Sequence, residues 1–409
     1  MDEPNVAEQF FLDVMSPRFR EDPYPYYEAR RLAQPLLRAL DGLWIAFSHA
    51  DVSALLRHPG LSTDEDLASL HMTRTNPGSF RQHNLLFMDP PDHTRLRTLV
   101  SQAFTARRVQ SLEATVEKIT AELVDALRER AAAGEPVDLI SALAYPLPVR
   151  VICALLGVPA EDESAFTDWS CSIVRAIDPN ILRGPEIDEQ IADSLADLAA
   201  YLESLLAQRR AAGSDAGDDL LSALVRVEAD GDRISAAEAV SLARLLLVAG
   251  HETTVNLIGN GALALLREPD QLALLRARPD LVDSAVDELL RYDSPVQLSQ
   301  RIALEEFDVR GHKMAPGDQI VLMLAAANRD PDVFADPARL DVTRDARRHV
   351  AFGGGIHYCL GAALAKLEGR IAFRQLVQVF PEMELAGVPV RRPTYTLRGL
   401  EELPVMLGV

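Results

Sequence analysis

The chain contains 409 residues, 48% of them hydrophobic, and no linker, low-complexity tract or internal repeat divides it, so we expect one large domain over 1–409. Its 41 Lys and Arg against 61 Asp and Glu give a formal net charge of −20, which disfavours nucleic acid and anionic membranes as partners. The apolar runs fall short of the roughly 20 residues that span a bilayer, and the first residues lack a secretory pattern, so we expect a soluble, cytoplasmic protein.

Helical patterns dominate the chain, and strand-like patterns cluster towards its ends. Apolar residues recur at three- and four-residue intervals and predict α-helices over 111–130, 187–210, 236–266 and 281–291. Alternating apolar residues predict a hairpin over 36–47 and further strands over 302–309, 319–322 and 394–397. We therefore predict a mainly α (α+β) fold whose β-rich parts lie at roughly 36–60, 295–325 and 383–409. The polar stretch 61–84, punctuated by glycine and proline, is typical of a mobile lid.

Residues 88–97 read Met-Asp-Pro-Pro-Asp-His-Thr-Arg-Leu-Arg. The Asp-Pro opening is typical of a helix start, and it places His93 and Arg97 one turn apart on one face. Such a pair is common on exposed helix faces. It would equally suit a buried carboxylate ligand, which needs cationic or hydrogen-bonding partners.

The longest helical pattern begins at Ser235, which is expected to form a capping box with Glu238. At about 1.5 Å per residue this helix would span roughly 45 Å, so we expect it to cross the whole domain. Its segment 249–254, Ala-Gly-His-Glu-Thr-Thr, interrupts a leucine-rich stripe. A local opening of the helix there would leave room above a flat cofactor and supply side chains that transfer protons, whereas the alternative is a kinked but inert core helix.

The three cysteines, Cys153, Cys171 and Cys359, have no C-x-x-C spacing, so neither a zinc site nor a disulfide framework is indicated. Cys359 follows a glycine-rich bend and precedes the helix-forming run 362–376, and backbone N–H groups at such a helix start favour a thiolate. Glycines without Cβ would let a large flat ligand lie against this backbone. A lone cysteine is often only a small buried hydrophobe, but a thiolate in such a bend is also a suitable axial ligand for iron.

The spacing Phe-x-x-Gly-x-x-x-Cys-x-Gly, filled by Phe352, Gly355, Cys359 and Gly361, resembles the haem-binding loop of the cytochrome P450 superfamily. This resemblance implies the P450 fold, haem b with an axial thiolate from Cys359, and a bacterial-type monooxygenase that uses O2. Because the chain carries no fused flavin or iron–sulfur module, the resemblance also implies electrons from ferredoxin and ferredoxin reductase. We expect a monomer.

The resemblance assigns roles to the other motifs. Glu252 and Thr253 look like the acid–alcohol pair, with Glu252 as the proton-relay acid and Thr253 as the hydroxyl that steadies the oxygen being cleaved; His251 receives no catalytic role. Residues expected to contact the haem or its propionates are His93, Arg97, Ala249, Gly250, Arg301, Phe352, His357, Cys359 and Gly361. The pair Glu288 and Arg291, at a spacing typical of surface ion pairs, is expected to be buried and joined by Arg339 as a brace of the haem loop.

The substrate is expected to be a hydrophobic small molecule of the macrolide, steroid or terpenoid kind that is hydroxylated or epoxidised. Candidate pocket residues, each also consistent with ordinary core, are Leu85, Leu86, Phe87, Leu245, Val248, Val296, Leu298, Thr396 and Leu397. Alternatives are a peroxide-driven peroxygenase, which the pair Glu252 and Thr253 disfavours, and a haem gas sensor or carrier. The basic run 344–349 is either a solvated face or a docking patch for an acidic electron carrier.

Overall fold

A computed structural model describes residues 6–70, 81–178, 184–213, 217, 219–229 and 234–408. The α-helices of this part are α1 (Val6–Val14), α2 (Pro17–Glu21), α3 (Tyr24–Ala33), α4 (His49–Leu55), α5 (Asp92–Ser101), α6 (Ala106–Ser111), α7 (Glu113–Ala132), α8 (Pro146–Leu156), α9 (Glu163–Ile173), α10 (Pro185–Ala212), α11 (Leu220–Ala229), α12 (Ala236–Arg267), α13 (Pro269–Ala277), α14 (Val282–Tyr292), α15 (Leu324–Ala327) and α16 (Ala362–Val379). The β-strands are β1 (Leu36–Leu40), β2 (Leu43–Ala46), β3 (Leu61–Ser62), β4 (Val137–Asp138), β5 (Ser299–Ala303), β6 (Phe307–Val309), β7 (His312–Met314), β8 (Gln319–Leu322), β9 (Glu382–Leu385), β10 (Val390–Arg391), β11 (Leu400–Glu402) and β12 (Pro404–Gly408). The predicted mainly α architecture with a small β part is confirmed.

The longest helix, α12, begins at the predicted capping box. The Glu238 N–H donates to the Ser235 hydroxyl at 3.2 Å, and the Ser235 N–H donates to the Glu238 carboxylate at 2.7 Å. The 32 residues of α12 span about 48 Å, and side chains on every face of it are buried, as expected for a helix inside a core. The predicted opening over 249–254 is wrong, because α12 runs without interruption through this segment.

Helix α12 joins the two largest parts of the apolar core. Its first half packs with α8, α9, α10 and α11 around buried leucines such as Leu195, Leu202 and Leu245. Its second half shares a buried cluster with α7, α8 and α16 that includes Ile258, Leu263 and Leu364, and α12 packs directly against α16. Because α16 directly follows the cysteine loop, this packing holds the loop against the middle of the protein.

The β part contributes the other wall of the site. Its main sheet has the strand order β1-β2-β8-β5-β3, with β2 and β8 parallel and the remaining pairs antiparallel. The predicted hairpin is confirmed as β1 and β2, and Gly42 in its turn has a φ of 76°. On β5, Arg301 pairs with Ile320 of β8, so the sheet determines where its side chain leaves the backbone.

Two strand predictions need correction. The run 302–309 is divided between β5 and β6, and 394–397 forms no strand, since Leu397 makes only an isolated bridge to Val296. In the latter segment the Tyr395 and Thr396 N–H groups donate to the Asp178 carboxylate, at 3.0 and 2.7 Å, and are unavailable for a ladder.

The remaining predictions concern the lid, membrane-spanning helices and the number of domains. Of the proposed lid, residues 71–80 lie outside the described residues, while Leu61–Ser62 forms β3 against Ile302 and Ala303. Among the described helices, none combines the length and the apolar character needed to cross a membrane. That residues 1–409 form one domain stays a prediction.

Candidate active site

The cysteine loop is a tight turn closed at its base. The Cys359 N–H donates to the Phe352 carbonyl at 2.9 Å, across the 3₁₀ turn Gly355–His357. Gly355 has a φ of 66°, and a Cβ at this position would lie 2.5 Å from the Leu56 carbonyl oxygen, so only glycine fits. The loop therefore delivers Cys359 to the start of α16 in one defined geometry.

The ionisation of Cys359 differs from the sequence-based expectation. The N–H groups of Gly361 and Ala362 do bond to the sulfur and lower its pKa, as does the charge of Arg97. Burial is the larger influence, however, and it raises the pKa of the thiol above its usual value. Desolvation of the anion therefore opposes the thiolate that the helix start favours. A bound metal ion deprotonates a coordinating thiol, so the site suits metal ligation nonetheless.

A cavity of about 380 Å³ adjoins the cysteine. All three cysteines belong to the described part of the chain, and Cys359 alone among them lines this cavity. Every residue predicted for the substrate pocket lines it as well: Leu85, Leu86, Phe87, Leu245, Val248, Val296, Leu298, Thr396 and Leu397. Of the residues predicted to contact the cofactor, those that line it are Arg97, Ala249, Gly250, Arg301, Phe352, His357, Cys359 and Gly361.

Two arginines and a histidine gather beside the cysteine without matching carboxylates. Within the described residues, Arg97, Arg301 and His357 form no ion pair. Arg301 is only 5% exposed and donates to the Ser299 hydroxyl and the Gln300 carbonyl of its own strand. Burial lowers the pKa of Arg301 to about 10. For His357, burial and then the charges of His93, Arg301 and Arg97 lower the pKa to about 3. Such a cluster fits an anionic ligand.

His93 takes a different place from that expected. It is 2% exposed, and its ring lies 4.3 Å from the His357 ring, but it does not itself line the cavity. Among the described residues its Nε2 finds no hydrogen-bond partner, and burial, followed by the charge of Arg97, lowers its pKa. A buried ring nitrogen without a partner is consistent with a polar ligand that completes the site.

The acid and the alcohol lie next to one another on α12. The Thr253 hydroxyl lines the cavity and donates to the Ala249 carbonyl at 3.2 Å. Glu252 is 1% exposed, and its Oε2 accepts from Arg392 Nη1 at 2.6 Å. Burial raises the pKa of Glu252, but His251 and Arg392 together outweigh burial, so the net pKa lies below its usual value.

His251 is hydrogen-bonded within its helix, as expected, and it also lies close to the acid. Its Nδ1 is 2.6 Å from the Leu247 carbonyl, and its Nε2 is 3.6 Å from Glu252 Oε1, too far for a hydrogen bond. Consecutive helix residues such as His251 and Glu252 point roughly 100° apart, so the sequence did not predict that these two side chains lie close together.

The brace beneath the cysteine loop is buried, but one of its predicted members is wrong. Glu288 and Arg291 form a bidentate pair at 2.7 and 2.8 Å, and both side chains are 0% exposed. The second arginine is Arg344, whose Nε donates to Glu288 at 3.1 Å, whereas Arg339 is exposed and offers only its backbone carbonyl to Arg291. Arg291 also donates to the Asn328 carbonyl, and the Asn328 side chain holds the Val350 N–H at 2.7 Å, just before the loop.

Comparison with known proteins identifies the family. The family model described as Cytochrome P450 matches residues 46–278 and 275–393. The chain belongs to the cytochrome P450 family. It is 45% identical to the vitamin D(3) 25-hydroxylase of Pseudonocardia autotrophica, covering 97% of this chain and 96% of that protein. It is 40% identical to the 6-deoxyerythronolide B hydroxylase of Saccharopolyspora erythraea, covering 97% and 98% respectively.

Solved structures agree with this assignment. The crystal structure of Mycobacterium smegmatis CYP164A2 in its ligand-free state is 40% identical and superposes with a TM-score of 0.88, over 97% of this chain and 99% of that chain. The protein is thus a P450 monooxygenase, an oxidoreductase whose cofactor is haem with a cysteine-thiolate ligand. When bound, the haem supplies the activation of O2 and the cleavage of the O–O bond.

The residues of this P450 fit such a cofactor. Gly361 lines the cavity, and a Cβ added to it would meet no protein atom within 4 Å, so the backbone offers an open face to a flat ligand. Gly250 is small for another reason, because a Cβ there would lie 2.8 Å from Ile152 Cδ1 of α8. The residues that would hold the haem are Cys359 at the iron and the cluster of Arg97, Arg301 and His357, with His93 beside it, at the propionates.

Several site residues had no usable signal in the sequence. Ile173, Val174 and Ile177, at the end of α9 and in the 3₁₀ turn that follows, line the cavity but look like ordinary helix residues. Arg392 reaches Glu252 across 140 positions of sequence, and nothing local marks that pairing.

Proposed function

We propose that this P450 hydroxylates or epoxidises a bulky hydrophobic compound of the macrolide, steroid or terpenoid kind. The reaction uses O2 and two electrons from a ferredoxin, which receives them from ferredoxin reductase. The names of two relatives, a vitamin D(3) hydroxylase and a 6-deoxyerythronolide B hydroxylase, support a polycyclic or macrocyclic substrate. We further propose that the protein acts as a monomer in the cytoplasm, in line with its free cysteines.

The observation that carries this proposal is the division of the cavity into a cationic end and an apolar end. The cationic side chains surround the cysteine and match the carboxylates of haem. Most of the other lining residues are aliphatic or aromatic, for example Leu85, Phe87, Val174, Leu245 and Leu397. An apolar chamber of this kind favours a hydrophobic substrate with few polar anchors, held by shape and by exclusion of water.

Glu252 and Thr253 are proposed as the proton-delivering pair. Both line the cavity, and both carry groups that exchange protons at neutral pH or hydrogen-bond to an oxygen ligand. Reduction of O2 requires protons at the distal oxygen, whereas hydrogen peroxide already carries them. The pair therefore favours a monooxygenase over a peroxide-driven peroxygenase.

The proposed docking patch for the electron donor is smaller than the basic run 344–349. Of the basic run 344–349, Arg344 is used inside the brace and His349 lies 3.4 Å from Asp287, whereas Arg347 and Arg348 are exposed. Changing Arg347 and Arg348 to Glu should lower ferredoxin-supported turnover and its dependence on salt, because both side chains are exposed, Arg347 beside Asp345 at 2.6 Å. Turnover driven by hydrogen peroxide serves as the control and should not change.

The deciding experiment combines spectroscopy with turnover. The reduced, carbon monoxide-bound protein should show the far-shifted Soret band of a thiolate-ligated haem, and Cys359→Ser should abolish it. Macrolides, steroids, secosteroids and terpenoids are then screened for spectral shifts of the haem, with fatty acids as the contrasting class. Binding confined to fatty acids would reject the substrate class, and product with peroxide but none with any ferredoxin system would favour the peroxygenase.

A further inference from the structure

A second cavity, of about 20 Å³, lies where α2 and α3 meet the C-terminal loop, residues 392–399 between β10 and β11. Among the described residues, none lines both this cavity and the one beside Cys359. Within the same part of the chain its lining includes four arginines and no aspartate or glutamate. The arginines are Arg20 of α2, Arg391 of β10, and Arg392 and Arg398 of the loop. So much positive charge around a small opening requires negative charge nearby.

Carboxylates outside the lining neutralise only part of this charge. Asp293 lies 2.7 Å from Arg398 and 3.1 Å from Arg391, so one carboxylate serves two guanidinium groups. Arg392 pairs with Glu252 at 2.6 Å. Three of the arginines therefore share two carboxylates.

Two of the lining arginines have buried donors left over. The Arg391 side chain is 5% exposed, and its Nε has no hydrogen-bond partner among the described residues. Burial lowers the pKa of Arg391 below its usual value in spite of Asp293, so its charge is incompletely compensated. Arg20 forms no ion pair within the described part of the chain, and its Nε is likewise buried without a partner there. The cavity thus has both spare donors and spare positive charge.

The oxygen atoms that would repel an anion are already engaged elsewhere. The backbone carbonyls of Arg20 and Glu21, at the end of α2, accept from Arg398 at 2.6 and 2.8 Å. The Glu21 carboxylate does not line the cavity, since its side chain is 56% exposed and lies 3.5 Å from Arg267. The groups left to meet a ligand are therefore guanidinium donors.

Water is the simplest occupant to weigh against an anion. A cavity holds one water molecule once its volume reaches about 10–15 Å³, and water would satisfy the spare Nε groups. Water carries no charge, however, and leaves the excess of cations unbalanced. The planar guanidinium instead matches two oxygens of an oxyanion with two parallel donors in a charge-assisted pair. An oxyanion therefore accounts for the donors and for the charge together.

We propose that this cavity binds a compact inorganic oxyanion of the phosphate class, with Arg20 and Arg391 as its principal ligands. The bound anion would connect α2 to β10 and hold the C-terminal loop that begins there. The same loop carries Thr396 and Leu397, which line the cavity beside Cys359, so occupancy of the anion site makes one wall of that cavity more rigid. The anion site is separate from the proposed function and does not depend on the identity of the substrate.

The test measures the binding of inorganic phosphate to the full-length, haem-loaded protein by calorimetry, in a buffer without other oxyanions. Arg20→Gln removes a ligand without breaking an ion pair. Arg18→Gln on the same helix is the matched control, because Arg18 is exposed and does not line the cavity. We expect saturable binding to wild type and a loss of affinity of roughly tenfold in Arg20→Gln, the effect of one charge-assisted hydrogen bond. Arg18→Gln should bind as wild type does.

Two further measurements separate a specific site from general screening by salt. Phosphate should raise the midpoint of thermal unfolding, and sodium chloride at the same ionic strength should not reproduce this rise. Hydrogen exchange of the backbone of 392–399 should slow when phosphate is added to wild type, and less so in Arg20→Gln. Arg391→Gln should also abolish binding, but it removes a cation from Asp293 as well, so Arg20→Gln decides the matter.

Three results would overturn the inference: no saturable binding of phosphate to wild type, equal weakening in Arg18→Gln, or the same stabilisation by sodium chloride. Slower exchange confined to other segments would contradict the connection between the anion and the C-terminal loop.

Discussion

The protein contains two buried glutamate–arginine pairs that differ in how completely the carboxylate is satisfied. Both oxygens of Glu288 are occupied, by Arg291 at 2.7 and 2.8 Å and additionally by Arg344 and the Asp341 N–H. Within the described part of the chain, Glu252 accepts one short hydrogen bond, from Arg392 to Oε2, and its Oε1 has no hydrogen-bond partner, with His251 Nε2 3.6 Å away.

This difference separates a structural pair from one suited to chemistry. A carboxylate whose two oxygens both accept hydrogen bonds from a buried network exchanges protons only if that network breaks, so Glu288 braces the cysteine loop. A carboxylate with one free oxygen beside a cavity retains a position that accepts a proton. Identical residue types thus suit stability in one place and, as proposed for Glu252, proton transfer in the other, according to the number of their partners.

The largest effect is expected where the network is most complete. Glu288→Ala leaves the Arg291 guanidinium buried and without its counter-charge, which costs about 3–5 kcal/mol and should prevent stable haem incorporation. Haem content and thermal unfolding measure this loss. Arg339→Ala is the control, since its exposed side chain takes no part in the contact, and equal losses in both variants would contradict the assigned network.

A third buried carboxylate, Asp293, should respond to acid. Burial raises its pKa, but Arg398 and Arg391 outweigh burial and hold it at about 2, below the usual 3.8. The difference of about 1.8 multiplied by about 1.36 kcal/mol corresponds to about 2.4 kcal/mol, present above about pH 4 and lost as pH falls towards about 2. Denaturant titrations should therefore show Asp293→Asn less stable than wild type at pH 7, with the gap narrowing in acid. A gap independent of pH would rule out this linkage.

The alcohol beside the half-satisfied acid should affect chemistry and leave stability unchanged. Thr253→Ala removes the hydroxyl that faces the cavity, so haem content should be retained while product per electron pair falls by on the order of tenfold and hydrogen peroxide rises. Thr253→Ser keeps the hydroxyl and should preserve most of the coupling. Unchanged peroxide release in Thr253→Ala would remove Thr253 from the relay.

The smallest effect is expected beside the cavity, where Asp178 holds residues 395–396. Asp178→Ala frees the Tyr395 and Thr396 N–H groups, each bond contributing about 0.5–1.5 kcal/mol, so spectral titration should show substrate binding weakened by roughly fivefold. Asp178→Asn retains a carbonyl oxygen and should bind nearly as wild type. Haem content should not change in either variant, because the brace at Glu288 lies elsewhere, and a parallel loss of haem would show that the two regions are coupled.

Predictions made from local patterns agreed with the structure where the signal and its physical cause lie within a few residues. The capping box at Ser235 and the turn at Gly42 depend on backbone geometry that neighbouring residues dictate. The spacing from Phe352 to Gly361 indicated both the cofactor and the family, since a loop this constrained tolerates few alternatives.

Tertiary structure decided which charged groups meet and whether charge survives burial. Three contacts join positions far apart in the chain. Glu288 is bound by Arg344 rather than by Arg339, Glu252 pairs with Arg392, and the Asp178 carboxylate accepts from the N–H groups of 395–396. The thiol of Cys359 shows the same limit, because a helix start visible in the sequence lowers its pKa less than burial raises it. The sequence by itself determined the local conformations and the chemical groups available, whereas partners and desolvation depend on packing, which sums contributions from the whole fold.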